Sequence, residues 1–131
     1  MKFKALTVSI LSCILMCCDP IHTIDITNNS SSDVMIEVKL RENYLEYIVE
    51  NQPSGDSLAI QLHKGETESL YFGIGTWSDI EVSDLASLVQ EVKVSSDSST
   101  FRTSSTNYLY KLLIDHREGR WWKTRIHLEI E

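Results

Sequence analysis

The chain reads as an all-β sandwich, immunoglobulin-like or of a related Greek-key type, with one short helical insertion. Three observations predict it. Apolar and polar residues alternate at period two through most of the sequence, as half-buried strands require. Polar clusters rich in Ser, Asn, Asp and Gly interrupt the alternation at short intervals, where such residues satisfy turn geometry. The segments add up to roughly eight short strands, a number suited to two packed sheets.

Taken in order, Thr23 to Thr27 alternates, with Ile24 and Ile26 on one face. Asn28 to Asp33 is a polar turn. Val34, Ile36, Val38 and Leu40 then alternate against Met35, Glu37, Lys39 and Arg41, the clearest strand in the chain. Asn43 to Asn51 carries Leu45, Tyr47 and Val49 at strand spacing, although Tyr44, Tyr47 and Ile48 also fit a helical turn; the β-rich context favours a strand. Gln52 to Asp56 contains Pro and Gly and reads as a turn. Leu58, Ile60 and Leu62 face one way, Lys64-Gly65-Glu66 turns the chain, and Leu70, Phe72 and Ile74 form the next apolar face. Gly73 and Gly75 weaken the end of that strand and suit a bulge.

The period then changes. Leu85, Leu88, Val89 and Val92 stand at i, i+3, i+4 and i+7, so a short helix is expected here, N-capped by Ser83 with Asp84 in its first turn. A strand follows at Glu91 to Ser95. The Ser/Thr-rich Ser96 to Ser105 suits either a hairpin of two poorly packed strands or a loop. Asn107–Ile114 and Trp122–Ile130 flank the polar run Asp115 to Arg120 and are expected to form a long C-terminal hairpin. In its second strand Ile126, Leu128 and Ile130 oppose Arg125, His127 and Glu129.

The amino end follows different rules. Lys2 and Lys4 precede Ala5 to Met16, a stretch without charge, Pro or Gly. It is too short to span a bilayer, which takes about 20 apolar residues, and it fits the apolar core of a cleaved export signal. It ends in Leu15-Met16-Cys17-Cys18. That tetrad resembles the lipobox of bacterial lipoprotein precursors: Leu, two mostly small residues, then Cys. The resemblance covers the leader only. It implies a diacylglycerol on the Cys18 thiol and cleavage just before it. Cys13, after Ile10-Leu11-Ser12, is the alternative acceptor, and Cys17 the third. The organisation expected is a signal at 1–17, a lipidated tether at 18–22 and a sandwich at 23–131. More than one acyl chain on the cysteine gives a stable membrane anchor, where a single chain binds reversibly. The resemblance places the domain outside the cytoplasm, on the cell envelope. Asp19 resembles the inner-membrane retention signal of enteric bacteria, a rule other phyla do not follow; the outer membrane is the expected address and the inner membrane the alternative.

Composition narrows the chemistry. All nineteen acidic residues lie beyond the leader with ten of the twelve basic ones, so the exported part has a net charge of −9. An acidic surface disfavours nucleic acid, which asks for a basic stripe. The three cysteines fall at 13, 17 and 18, which leaves the domain without a disulfide framework, thiolate metal site or cysteine nucleophile. His22, His63, His116 and His127 show no metal-binding spacing. No G-x-S-x-G turn activates a serine, and Gly73-x-Gly75 lacks the rest of a phosphate loop. Asp115 and His116, adjacent in a strand, would point to opposite sides. The carboxylates at Glu37, Glu42, Glu46, Glu50, Asp79, Glu81 and Asp84 read as a solvated face. No cofactor is expected.

The sharpest local feature is Trp121-Trp122, set among His116, Arg117, Arg120, Lys123 and Arg125. In a strand, one ring would face the core and its neighbour the solvent. An exposed Trp with Arg120 and Lys123 is a contact surface for a protein or glycan partner, since Trp and Arg are favoured interface anchors. The function expected is a non-catalytic lipoprotein that binds or assembles at the membrane surface. The alternatives are a carbohydrate-binding accessory module using Trp121 or Trp122 with Trp77, and a small envelope hydrolase built from scattered carboxylates. A toxin-neutralising immunity protein also fits the size and acidity but has no residue signature.

Overall fold

In the computed structural model, which describes residues 20–41 and 56–131, the alternating segments pair into two four-stranded sheets. The candidate lipid acceptors and the strand expected over Asn43–Asn51 lie outside the described residues. The strands are β1 (Ile21–Asn28), β2 (Val34–Leu40), β3 (Ser57–Leu62), β4 (Thr67–Ile74), β5 (Val89–Ser96), β6 (Thr100–Thr103), β7 (Arg117–Glu118) and β8 (Arg125–Ile130). Two helices interrupt them, α1 (Asp79–Leu88) and α2 (Thr106–Asp115). The first sheet runs β4-β1-β8-β7 and the second β3-β2-β5-β6. The fold is the expected all-β sandwich with helical insertion.

β1 is central to the first sheet. It pairs antiparallel with β4 and parallel with β8, with Thr23 opposite Arg125 and Asn28 opposite Ile130. Its burial alternates strictly, placing His22, Ile24, Ile26 and Asn28 inward. In the second sheet β2 lies antiparallel between β3 and β5, and Val34, Ile36 and Leu40 face the core. Leu70 of β4, Ile60 and Leu62 of β3 and Ile126 of β8 complete one apolar cluster shared by both sheets. Each buried aliphatic side chain contributes about 1.5–3 kcal/mol relative to exposure.

The chain crosses between sheets twice near Asn28, after β1 and after β3. Asn28 is fully buried, and its side chain ties the crossings together. Nδ2 donates to the Ser32 carbonyl at 2.9 Å and to that of Leu62 at 3.1 Å. Oδ1 accepts from the Ser30 amide at 3.1 Å and the Ser30 hydroxyl at 2.6 Å. The backbone N–H of Asn28 donates to Glu66 O, and its carbonyl accepts from the Gly65 N–H.

Three expectations about the helices are corrected. The first helix begins at Asp79, five residues before the expected start, because Ser78 and Glu81 form a capping box that satisfies two end donors reciprocally,. Ser83 is therefore an exposed residue inside the helix, and Val89 and Val92 belong to β5. The inward stripe is Val82, Leu85 and Ala86. Second, the segment expected as a strand at Asn107–Ile114 is helical. Ser105 caps it by accepting from the Tyr108 amide, and Leu109 and Leu113 are buried at i, i+4. Third, the long C-terminal hairpin is consequently absent; β8 pairs instead with the two-residue β7 and, in parallel, with β1. The Ser/Thr-rich segment resolves as the β5–β6 hairpin, with Val94 opposite Phe101.

The core does not close. Between the sheets and against α2 lies an apolar cavity of about 360 Å³. Ile24 and Leu128 of the first sheet, Ile36 and Val94 of the second, and Leu109 and Leu112 of α2 belong to its wall. It is partly open to solvent: Val38, Leu58, Phe72, Val92, Val94 and Leu128 on its wall are only half-buried.

Candidate functional site: the tryptophan turn

Residues 119–124 connect β7 to β8. Since β8 runs parallel to β1, this turn lies at the end of the sandwich where β1 begins. Gly119 has φ +132°, and a Cβ there would meet the Trp122 carbonyl oxygen at 1.9 Å. Only glycine permits that close approach. Lys123 Nζ donates to the Gly119 carbonyl at 3.0 Å, closing the turn on itself. Two backbone bonds staple the turn to the body: Thr23 N–H donates to Thr124 O, and Trp77 N–H to Lys123 O.

Under the turn sits a buried aromatic cluster. Trp77 is 3% exposed, and its Nε1–H donates to the Thr23 carbonyl at 2.9 Å. The His22 ring meets it edge-on at 4.5 Å and Phe72 at 5.0 Å between centroids. Arg117 Nη1 donates to the Trp77 carbonyl and to Asp79 Oδ1, each at 2.8 Å. Burial pushes the His22 pKa down, opposed by the charge of Glu81. Its Nδ1 has no hydrogen-bond partner among the described residues.

The surface of the turn is the reverse. Trp121 is 87% and Trp122 62% exposed. Neither lies in a strand, which corrects the expectation that one ring would be buried; the turn directs both outward. Arg120 and Lys123 are exposed beside them, and among the described residues neither forms an ion pair, whereas Arg117 is paired with Asp79 and Arg125 with Asp25. Ile21, Ile74 and Ile80 are also exposed. Ile21 opens β1 and pairs with Ile74 at the end of β4. Ile80 stands next to Asp79, the partner of Arg117. The Pro20 carbonyl accepts from Gly75 N–H, so the chain enters the domain at this same apolar end.

The other expected groups are dispersed. Trp77 is core and cannot join Trp121 and Trp122 on a glycan. Asp115 ends α2 and His116 follows it as C-cap, with Nδ1 within 2.7 Å of the Leu112 carbonyl. His63 pairs with Asp33 at 2.8 Å on the surface; that contact raises the His63 pKa and lowers that of Asp33. His127 lies 3.6 Å from Glu118 and 3.9 Å from Glu129. Among the described residues, no three His, Cys, Asp or Glu side chains converge as a metal site. Sequence reasoning missed the exposed isoleucines of this end, since alternation alone does not show where a strand projects past its neighbours. No family model matches the chain, and no curated protein or solved structure shows significant similarity to it.

Proposed function

We propose that the protein is a non-catalytic lipoprotein of the cell envelope, held by an acyl anchor on Cys18, whose tryptophan-bearing end rests on the membrane surface. One observation carries the reading: the exposed Trp121–Trp122 turn, Ile21 and Ile74 share the end at which the chain emerges. Ile21 lies three residues from Cys18, a reach of at most about 10 Å. Tryptophan is favoured where one side is apolar and the other wet, as at a membrane interface. Arg120 and Lys123 supply positive charge there, suited to anionic head groups.

Labelling with a fatty-acid analogue in cells tests the anchor. Cys18→Ala is expected to abolish labelling and move the chain to the soluble fraction. Unchanged labelling would shift the acceptor to Cys13 or Cys17, and absent labelling of the wild type would end the reading. For the resting surface, Trp121 and Trp122 are expected to lose acrylamide quenching when the lipidated chain is reconstituted into vesicles. A second reading draws on the same exposure: two adjacent outward rings beside Arg120 can stack a sugar. Glycan-array binding lost on Trp122→Ala, with vesicle protection unchanged, would favour it.

A further inference from the structure

The cavity between the sheets is the second feature of the molecule that its stability alone does not explain. Its wall is almost wholly aliphatic and aromatic, contributed by both sheets and both helices. Inward-facing residues that should be sealed are only half-buried: Val38, Leu58, Phe72, Val92, Val94 and Leu128 all pack on the core and line this space. Their inward faces remain partly accessible to solvent. The space amounts to 360 Å³ and is partly open, and its apolar wall offers water few of the two to four polar partners it takes up. It has room for a dozen or so water-sized groups at ~30 Å³ each, about the bulk of a medium-length hydrocarbon chain.

We propose that this cavity binds a single aliphatic chain of fatty-acyl type with an uncharged head. Among the described residues the polar members of the wall are Thr103, Tyr108, His116 and Glu129. His116 adjoins both the cavity and a more polar depression formed with Glu118, His127, Glu129 and Glu131, so the chain's head lies toward the C-terminal end of α2. Among the described residues no lysine or arginine belongs to the wall, and a carboxylate head would find Glu118, Glu129 and Glu131 toward that end. An ester, hydroxyl or glycerol head avoids that repulsion. The site differs from the tryptophan turn.

The test is equilibrium binding of radiolabelled 1-monolauroylglycerol and of laurate to the full chain at neutral pH. Two forms are compared, the wild type and a Cys13→Ala/Cys17→Ala/Cys18→Ala variant that carries no lipid of its own. Saturable uptake of monolauroylglycerol by both forms identifies a chain taken from the surroundings. Uptake by the variant alone identifies the protein's own acyl group as occupant. Uptake by neither overturns the proposal, and laurate binding as tightly as the monoglyceride overturns the assignment of an uncharged head. Val94→Phe and Leu128→Trp, each placing extra bulk in the cavity, are expected to weaken binding at least tenfold while the thermal midpoint holds or rises. Either variant that folds suffices. Binding unaffected by both, but lost in Trp121→Ala/Trp122→Ala, would place the lipid on the surface and refute the cavity.

Discussion

Removing the Asn28 side chain is expected to destabilise the fold more than any other single polar change among the described residues. Asn28→Ala deletes four hydrogen bonds, two donated by Nδ2 and two accepted by Oδ1. The two to Ser30 are partly accessible, so water replaces them at little cost. The two from Nδ2 are different. The bond to the Leu62 carbonyl is buried, and a buried acceptor left without its donor costs about 1–3 kcal/mol. The bond to Ser32 adds a net ~1 kcal/mol. The sum is about 2–4 kcal/mol, a large share of a domain's typical 5–15 kcal/mol, and it corresponds to a fall in Tm on the order of 10 °C or more. Urea unfolding followed by far-UV circular dichroism measures it, with an unchanged m-value showing that the same surface is exposed. Asn28→Asp keeps the acceptors, loses both donors and places a charge beside two carbonyls, so it is expected to be worse than Ala at neutral pH. A loss below about 1 kcal/mol for Ala would refute the view that this residue locks the two sheet crossings.

Three further outcomes follow from the entry end. Trp77→Ala is expected to cost about 3–5 kcal/mol, as for other buried aromatics, while Trp121→Ala and Trp122→Ala stay within about 0.5 kcal/mol; a large loss at Trp122 would mark it as core. Gly119→Ala forces a Cβ onto the Trp122 carbonyl and is expected to lose about 1–3 kcal/mol and to leave the tryptophans more mobile by fluorescence anisotropy; no change in either would show that the turn relaxes freely. The depressed pKa of His22 makes the unfolded chain bind the proton more readily than the folded one,. Its contribution is present above the model-peptide value of about 6.5 and is lost as pH falls from there toward the folded value, so His22→Leu is expected to flatten the decline of the urea midpoint between pH 7 and 5; an identical slope in the variant would refute the assignment.

The sheets were legible because their residues alternate against a single buried face. Val34, Ile36 and Leu40 point inward as the pattern of β2 predicts, and Ile126 of β8 does too. The helices were read less well because two periods compete in short apolar runs. In Tyr108-Leu109-Tyr110-Lys111-Leu112-Leu113-Ile114, alternation at Tyr108, Tyr110, Leu112 and Ile114 suggests a strand, yet Leu109, Leu112 and Leu113 fit a helix equally. The deciding signal was local: Ser105 as a cap, like the Ser78–Glu81 box before α1. The outward setting of both tryptophans was hidden because it follows from a turn that only Gly119 allows. The cavity was not legible at all. Sequence periodicity shows which side chains face inward, but the gap between facing sheets depends on how far the crossings and α2 hold them apart.

The central strand joins these features into one mechanical argument. Its inward face reads His22, Ile24, Ile26, Asn28, and His22 and Asn28 are the two buried polar side chains among the described residues. At the far end Asn28 is hydrogen-bonded to both crossings. At the entry end His22 is packed against Trp77, with no partner for Nδ1 among the described residues, and the strand is held there by the Thr23 N–H bond to Thr124 O and by the indole of Trp77. An anchor attached before Ile21 would load β1 along its own axis, with ladders to β4 and β8 sharing the load in shear on both sides. A pull applied there would have to break both ladders together before the strand could leave. The exposed tryptophans stand one turn away from that point, so under the proposed anchoring they would be the first side chains to meet the surface that held the lipid.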